Sequence, residues 1–434
     1  MRLGPALLLA GVLAGCADPE LGEGDEPLPP GKEDAPGYTV TGAKSWYLVG
    51  NALTAGNDML ELTVQAPAQA RYVSVYINGR FVKRAQRTGN TFTVRTSIAA
   101  LPVGEHRALL AADGARVAFA ERKFKKSHPL YVAVSNDWDD PDHPDDKIER
   151  QERLHARHPS LIVTHFVGPY TFTDPSVSAA RRKFHVDWLK KYEAQEGDEI
   201  GLHVHPWCNF VRTAGVTCRT SPSFAYANGD TSGYTVRLES YTKAELEKLF
   251  IKSNELFVAN GLPKPTSFRA GGWTANTNVL AALGTAGHVV DSSGCNWSRL
   301  EEWQNHAGAG LYDWNRTHWS AIDETSQPYY PAEDDILADR APHLPILEVP
   351  DNGLLVDYVT GPEMIQMFRA NYSGAALGSP TVYAIGYHPV SFSEGFFQRL
   401  DEALTEIDRH LVGSDRGPVI YARMSDLARV FPRP

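Results

Sequence analysis

The sequence predicts an α/β fold of repeated strand–helix units over residues 127–434, preceded by a small all-β domain over residues 38–126. Two observations lead to this prediction. After Lys126, short apolar runs alternate with amphipathic helical patterns, which is typical of βα units around a parallel sheet. Before Lys126, short strand-like runs are separated by turn residues. A chain of 434 residues is long enough to form a core in each part.

The all-β part is predicted from the spacing of its strands and turns. Asn78-Gly79 is a strong hairpin signal, because both residues tolerate the positive φ angles of a tight two-residue turn. The segment resembles an immunoglobulin-like or fibronectin-like sandwich. It contains no catalytic constellation, so a spacer or a sugar-binding module is expected. The predicted strands are Met59–Val64, Tyr72–Ile77, Thr91–Val94 and Arg107–Ala112.

The α/β part is predicted from alternating helices and strands. One helix spans about 177–192, with Phe184, Trp188 and Tyr192 spaced four residues apart on one face. Another begins at the capping box that Thr242 and Glu245 form, and a last long helix precedes the final strand. The number of units predicts a barrel-like sheet. Its predicted strands include 130–134, 267–268, 289–290, 346–349, 381–385 and 419–422.

The chain begins with a targeting segment. Arg2 is followed by an apolar run from Ala6 to Leu13, which is too short for a permanent membrane span. The tetrad Leu13-Ala14-Gly15-Cys16 resembles a bacterial lipobox, which implies cleavage before Cys16 and its lipidation; an ordinary secretory signal or an uncleaved anchor is the alternative. Residues 17–37 predict a disordered acidic tether. We therefore expect an extracytoplasmic protein, lipid-anchored to the inner or outer membrane of a bacterium.

The charge of the chain argues against a nucleic-acid partner, and its cysteine content limits the possible disulfides. Fifty-two acidic and 42 basic side chains give a formal charge of -10, the wrong sign for a nucleic-acid surface. Beyond Cys16 there are three cysteines, an odd number for an oxidising compartment. Cys208 and Cys218 are close enough in sequence to close a loop, which would leave Cys295 unpaired, but the sequence leaves the pairing open. It also leaves the oligomeric state open.

Two histidines provide the strongest indication of chemistry. His203 and His205 follow the apolar run 199–201 at i and i+2, so in a strand their imidazoles share a face and can reach one metal ion. A further ligand is expected from the segment 136–140, which delivers carboxylates after the apolar strand 130–134. This segment is not an EF-hand, because it lacks the glycine and the closing glutamate of that calcium loop.

Polar residues follow several predicted strands in a characteristic order: Asp137 to Asp140, His165, His203 and His205, Arg269 to Trp273, Asp291 to Ser293, and Gly386 to Pro389. From His128 to the C-terminus this order resembles the polysaccharide deacetylase family, the NodB-like carbohydrate esterases of family 4. The resemblance implies a distorted (β/α) barrel with a metal ion at its active site.

The resemblance also implies a role for six polar side chains. Asp137 would be the general base, Arg269 would orient it, and His388 would be the general acid that protonates the leaving group. A divalent metal, with zinc as the expected ion, would polarise the acyl oxygen and acidify water. The ligands of this metal would be Asp139, His203 and His205.

The spacings leave two assignments open. The family's common first motif has adjacent aspartates, whereas here Trp138 separates Asp137 from Asp139. The base and the ligand could therefore be Asp139 and Asp140 instead. The family's histidines are usually separated by three residues, and in this chain by one. His165 is consequently a reserve ligand, with a packed histidine as the alternative.

Three tryptophans stand beside these motifs, namely Trp138, Trp207 and Trp273. Aromatic rings offer flat apolar area with a polar handle, which suits the faces of sugars. The alternative is that the rings pack inside the barrel.

Together these features predict a metal-dependent hydrolase that removes N- or O-linked acetyl groups from an extracytoplasmic polysaccharide. Two alternatives remain open. The first is a non-catalytic carbohydrate-binding lipoprotein on the same barrel, which the altered spacings favour. The second is a hydrolase of another amide or ester, because the same water-activating site serves several acyl groups.

Overall fold

The structure is a computed structural model that describes residues 36–113, 115, 117–227, 229–303 and 309–434. The predicted lipobox at Cys16 and nearly all of the predicted tether lie outside the described residues. Within them, no helix has both the length and the apolar character needed to cross a bilayer.

The region before Leu130 forms two β-sheets, as the sequence predicts. The strands are β1 Thr39–Thr41, β2 Trp46–Leu48, β3 Met59–Gln65, β4 Val73–Ile77, β5 Arg80–Arg84, β6 Gln86–Thr88, β7 Thr91–Ser97, β8 Gly104–Ala112 and β9 Ala120–Ser127. Their orders in the two sheets are β1-β3-β7-β6 and β2-β9-β8-β4-β5. Asn78 and Gly79 both have positive φ and join β4 to β5 as an antiparallel hairpin, which confirms the predicted turn.

The chain divides into two compact units. Among the described residues, the smaller unit contains Thr63–Val94, Arg107–Arg122 and the residues from 36 to Thr41. The larger unit contains Gly42–Leu62, Arg95–His106 and Lys123–Pro434. That residues 38–126 form a separate immunoglobulin-like domain remains a prediction.

The region from Leu130 onward alternates strands and helices around a parallel sheet, as predicted. Its strands are β10 Leu130–Asp137, β11 Val163–Val167, β12 Glu199–Val204, β13 Ser267–Ala270, β14 Val290–Asp291, β15 Leu347–Glu348, β16 Thr381–Tyr387 and β17 Val419–Tyr421. Its helices are α1 Asp145–Arg157, α2 Tyr170–Thr173, α3 Ala179–Gln195, α4 Cys208–Thr213, α5 Lys243–Ala259, α6 Thr277–Ala286, α7 Ala309–His318, α8 Gly361–Asn371, α9 Glu394–Asp408 and α10 Leu427–Val430.

The parallel sheet has the order β15-β14-β13-β12-β11-β10-β16, an open path that fits a half-barrel form of the predicted (β/α) fold. β17 pairs with the first three residues of β10, and β11 pairs with the last four. Every residue of β10 and β12 is buried, because helices cover the faces of a parallel sheet. Because the strands are parallel, their carboxyl ends lie at the same edge of the sheet.

Local sequence signals set the helix boundaries. Thr242 and Glu245 form the predicted capping box before α5. The helix predicted at about 177–192 is α3, which begins at the residue after Ser178 because the Ser178 hydroxyl accepts a hydrogen bond from the amide of Arg181.

Cys208 and Cys218 form a disulfide with their Cα atoms 5.2 Å apart, and Cys295 is a buried free thiol.

Candidate metal centre

Three side chains converge at the carboxyl edge of the parallel sheet. Nε2 of His203 lies 3.0 Å from Oδ1 of Asp139, and Nε2 of His205 lies 3.4 Å from the same oxygen. One ligand atom from each of the three residues lies within 4.8 Å of the other two. All three side chains are buried. The structure thus brings together the three ligands that the resemblance implies.

The other ring nitrogen of each histidine faces a backbone carbonyl. Nδ1 of His203 lies 2.9 Å from the Arg269 oxygen, and Nδ1 of His205 lies 2.7 Å from the Tyr234 oxygen. A carbonyl can only accept, so both Nδ1 atoms carry the proton. Nε2 of each ring is then the nitrogen that faces the Asp139 carboxylate. Two imidazole nitrogens and a carboxylate at one point suit a divalent cation such as zinc.

Short local segments bring the two imidazoles together. His203 is the penultimate residue of β12, and Val204 separates it from His205, so the centroids of the two rings lie 5.0 Å apart. A Cβ at Gly271 would stand 2.6 Å from the His205 ring. Glycine at this position therefore allows the chain after β13 to pass close beside the imidazole.

The Asp139 carboxylate is held in its ionised form. Burial by itself would raise the pKa of Asp139, but the charges of His388 and His205 and the hydrogen bond from His203 lower it well below the usual value. The Tyr234 hydroxyl donates to Oδ2 of Asp139 at 2.7 Å. The carboxylate can therefore act as a ligand at neutral pH.

Asp137, the predicted base, lies beside a fully buried arginine. Nη1 of Arg269 donates to Oδ1 of Asp137 at 3.1 Å and to the Ser135 hydroxyl at 2.8 Å. The same guanidinium donates to the hydroxyl and the carbonyl of Ser292. Burial would lower the pKa of Arg269, but Asp137 and Asp351 raise it, so the guanidinium remains charged. The structure thus places Arg269 where it can orient Asp137.

His388, the predicted acid, lies on the other side of the carboxylate. Its Nε2 is 3.7 Å from Oδ2 of Asp139, and its Nδ1 is 3.0 Å from Oδ2 of Asp357. Burial would lower the pKa of His388, but Asp139 and Asp357 raise it to about 10. The imidazole is therefore protonated at neutral pH and can donate a proton.

These groups line one cavity of about 280 Å³. Asp137, which pairs with Arg269, lines this cavity. Asp140, the alternative aspartate, is not among the described residues that line it. His165 lies in the interior instead, where its Nε2 is 2.9 Å from Asp198. The cavity is lined by Asp137, Asp139, His203, His205, Tyr226, Ala227, Tyr234, Thr235, Ala270, Gly272, Trp273, Leu311, Tyr358 and His388.

Of the three tryptophans expected to face a sugar, the cavity wall in the described structure includes Trp273 alone. The expectation for Trp138 is wrong: its ring is completely buried and packs against His143 and Trp188. Trp207 is half-buried, and its indole N–H donates to the backbone oxygen of Asp139 at 3.1 Å. Trp207 therefore contacts the backbone of Asp139 and is not among the described residues that line the cavity.

Two residues of the site were not predicted from the sequence. Asp357 holds His388, and the hydroxyl of Ser391 donates to the second oxygen of Asp357. Tyr234 contacts both Asp139 and His205. Both residues lie outside regular helices and strands, so no periodic pattern marks them. A tyrosine after the turn formers Asp230-Thr231-Ser232-Gly233 is the signal that could have identified Tyr234.

Comparison of this chain with known proteins finds distant structural similarity. No protein-family model and no curated protein matches the sequence. The chain is similar to a family 4 carbohydrate esterase from Streptomyces lividans in complex with acetate, with 10% identity over 69% of this chain and 95% of that chain, at a TM-score of 0.34.

Two further solved structures are similar to this chain. A family 4 acetyl xylan esterase from Clostridium thermocellum in complex with cobalt has 12% identity over 70% of this chain and 93% of its own, at a TM-score of 0.34. A 4-alpha-glucanotransferase from Thermococcus litoralis has 11% identity over 68% of this chain and 39% of its own, at a TM-score of 0.38. These likenesses are distant, so the chemistry of the site rests on its own geometry.

Proposed function

We propose that this protein is a metal-dependent hydrolase that removes N- or O-linked acetyl groups from an extracytoplasmic polysaccharide. One observation carries the proposal: the ligand atoms of Asp139, His203 and His205 converge in the same cavity as Asp137 and His388. Water activation needs a metal site, a base and an acid within reach of one substrate. Lipidation of Cys16 would keep the enzyme at the membrane.

The residues of the chain divide the proton transfers between them. Asp137 accepts the proton of the attacking water, and Arg269 keeps its carboxylate oriented. A bound divalent ion supplies Lewis acidity toward the acyl oxygen and the water.

His388 then protonates the leaving nitrogen or oxygen of the sugar. Asp357 fixes its ring through Nδ1, so the acidic proton is the one on Nε2, on the cavity side. Because Asp357 and Asp139 are both negatively charged, the imidazolium is stabilised before the substrate binds.

Acetate release tests this proposal. The purified protein is incubated with N-acetylated chitooligosaccharides, with O-acetylated xylooligosaccharides and with a small N-acetyl amide that has no sugar. We expect acetate from at least one oligosaccharide, loss of turnover after dialysis against a chelator, and recovery when Zn²⁺ is added. Oligosaccharide binding without acetate release would support the non-catalytic alternative. Faster turnover of the small amide would support a hydrolase of another acyl group.

A further inference from the structure

Tyr234 contacts two of the three proposed ligands through three different groups. Its hydroxyl donates to Oδ2 of Asp139 at 2.7 Å, on the side of the carboxylate away from the oxygen that faces His203. Its carbonyl accepts from Nδ1 of His205 at 2.7 Å, and its ring stacks on the His205 imidazole with centroids 4.3 Å apart.

The loop that carries Tyr234 is held by its own side chains. The Asp230 carboxylate accepts hydrogen bonds from the backbone amides of Ser232 and Thr235, each at 2.8 Å, and from both of their hydroxyls. The loop also packs against the chain just after the histidine pair. At Gly233, where φ is +94°, a Cβ would collide with the carbonyl oxygen of Pro206. These contacts hold the backbone on both sides of Tyr234 in place.

We propose that Tyr234 is a positioning residue of the metal centre, which fixes the rotation of the Asp139 carboxylate through its hydroxyl and the orientation of His205 through its carbonyl. The proposal rests on the proposed metal site. The Tyr234 hydroxyl is the donor in this contact, because an ionised carboxylate can only accept. Without this donor the carboxylate can rotate, and its free oxygen loses a partner in a buried site.

Tyr234→Phe isolates the hydroxyl, because the carbonyl and the ring that contact His205 remain. Loss of an outer partner of a metal ligand typically weakens metal binding about 10–100-fold. We expect the dissociation constant for Zn²⁺, measured by competition with a chromophoric chelator, to rise by about tenfold or more. The absorption bands of the Co²⁺-loaded protein should also shift, because the ligand field at the metal changes.

Tyr226→Phe is the matched control. Tyr226 lines the same cavity, whereas the hydroxyl that reaches Asp139 belongs to Tyr234. We expect Tyr226→Phe to leave both the Zn²⁺ affinity and the Co²⁺ spectrum as in the wild type. Gly233→Ala is a second test, because its Cβ would collide with the carbonyl oxygen of Pro206 and the backbone beside Tyr234 must shift. It should weaken Zn²⁺ binding more than Tyr234→Phe does.

The outcomes separate this inference from the proposed function. If the wild type binds no Zn²⁺, the metal centre itself is contradicted. If the wild type binds Zn²⁺ and Tyr234→Phe binds it equally well with an unchanged Co²⁺ spectrum, the positioning role alone is contradicted. Equal losses in Tyr234→Phe and Tyr226→Phe would also overturn it, because the effect would then belong to the cavity wall. The melting temperature of the metal-free variants serves as the control for folding.

Discussion

Replacing Arg269 by methionine should strongly destabilise the larger unit. Arg269 is completely buried, and its guanidinium donates hydrogen bonds to Ser135, Asp137 and Ser292. It also lies 3.6 Å from an oxygen of Asp351, which is completely buried as well. Methionine keeps an unbranched apolar side chain at this position but leaves two buried carboxylates without their cation.

The magnitude follows from the environment of these carboxylates. Removing one partner of a buried ion pair costs about 3–5 kcal/mol, because the remaining charge stays desolvated. Asp351 already has a pKa raised to about 6 by burial, although Arg269 lowers it. Without the guanidinium, Asp351 would take up a proton more readily. We therefore expect a loss of about 3–5 kcal/mol in the free energy of unfolding, as for other broken buried pairs.

Urea unfolding followed by tryptophan fluorescence measures this loss. All nine tryptophans lie in the residue ranges of the larger unit, so the signal reports on that unit. Arg153→Met is the matched control, because Arg153 is exposed and its salt bridge to Glu394 is on the surface. We expect no measurable shift of the midpoint for this control.

A double variant tests the reason for the effect. In the double variant Arg269→Met with Asp137→Asn, an uncharged amide replaces one of the two carboxylates that lost their cation. The double variant should therefore be more stable than Arg269→Met alone. The reasoning would be refuted if Arg269→Met unfolded at the wild-type midpoint, or if the second substitution destabilised it further.

Three other predictions concern the site and the anchor. His203→Ala and His205→Ala should each lose most of the bound metal, as metal analysis after gel filtration would show, because each removes one of three ligands; stoichiometric metal in both would point to other ligands. Asp137→Asn and His388→Ala should each keep the metal but release acetate about a hundredfold or more slowly. Near wild-type turnover of one of these variants would exclude proton transfer by the residue that it replaces. Cys16→Ser should abolish lipid labelling and membrane partition in bacterial fractions, and unchanged partition would remove the lipobox assignment.

Much of the fold could be predicted because its signals are local. The capping box of Thr242 and Glu245 determines where α5 begins, and the apolar run 130–134 identifies β10. A similar capping box at Thr360 and Glu363 begins α8, which was not predicted although Met364, Met367 and Phe368 form its buried face. The strand boundaries shifted by one to three residues at several ends, where pairing with neighbours decides the last residue.

The candidate site could be predicted only as far as its residues follow strands. Asp137, His203 and His388 lie at or just after strand ends, where the chain order alone identifies them. Asp357 comes from a loop, and its contact with His388 depends on tertiary structure. Trp138 was wrongly predicted to face the substrate. It lies between Asp137 and Asp139, and its side chain points into the core, on the side opposite to theirs, as alternation along an extended chain predicts.

The central claim is that Asp139, His203 and His205 hold one divalent ion. A crystal structure of the zinc-soaked protein, with anomalous data collected on both sides of the zinc absorption edge, tests it most directly. We predict one anomalous peak about 2.0–2.2 Å from Nε2 of both histidines and from a carboxylate oxygen of Asp139. A zinc peak held by His165 or Asp140, or no peak between the three residues in crystals that diffract well, would contradict the account.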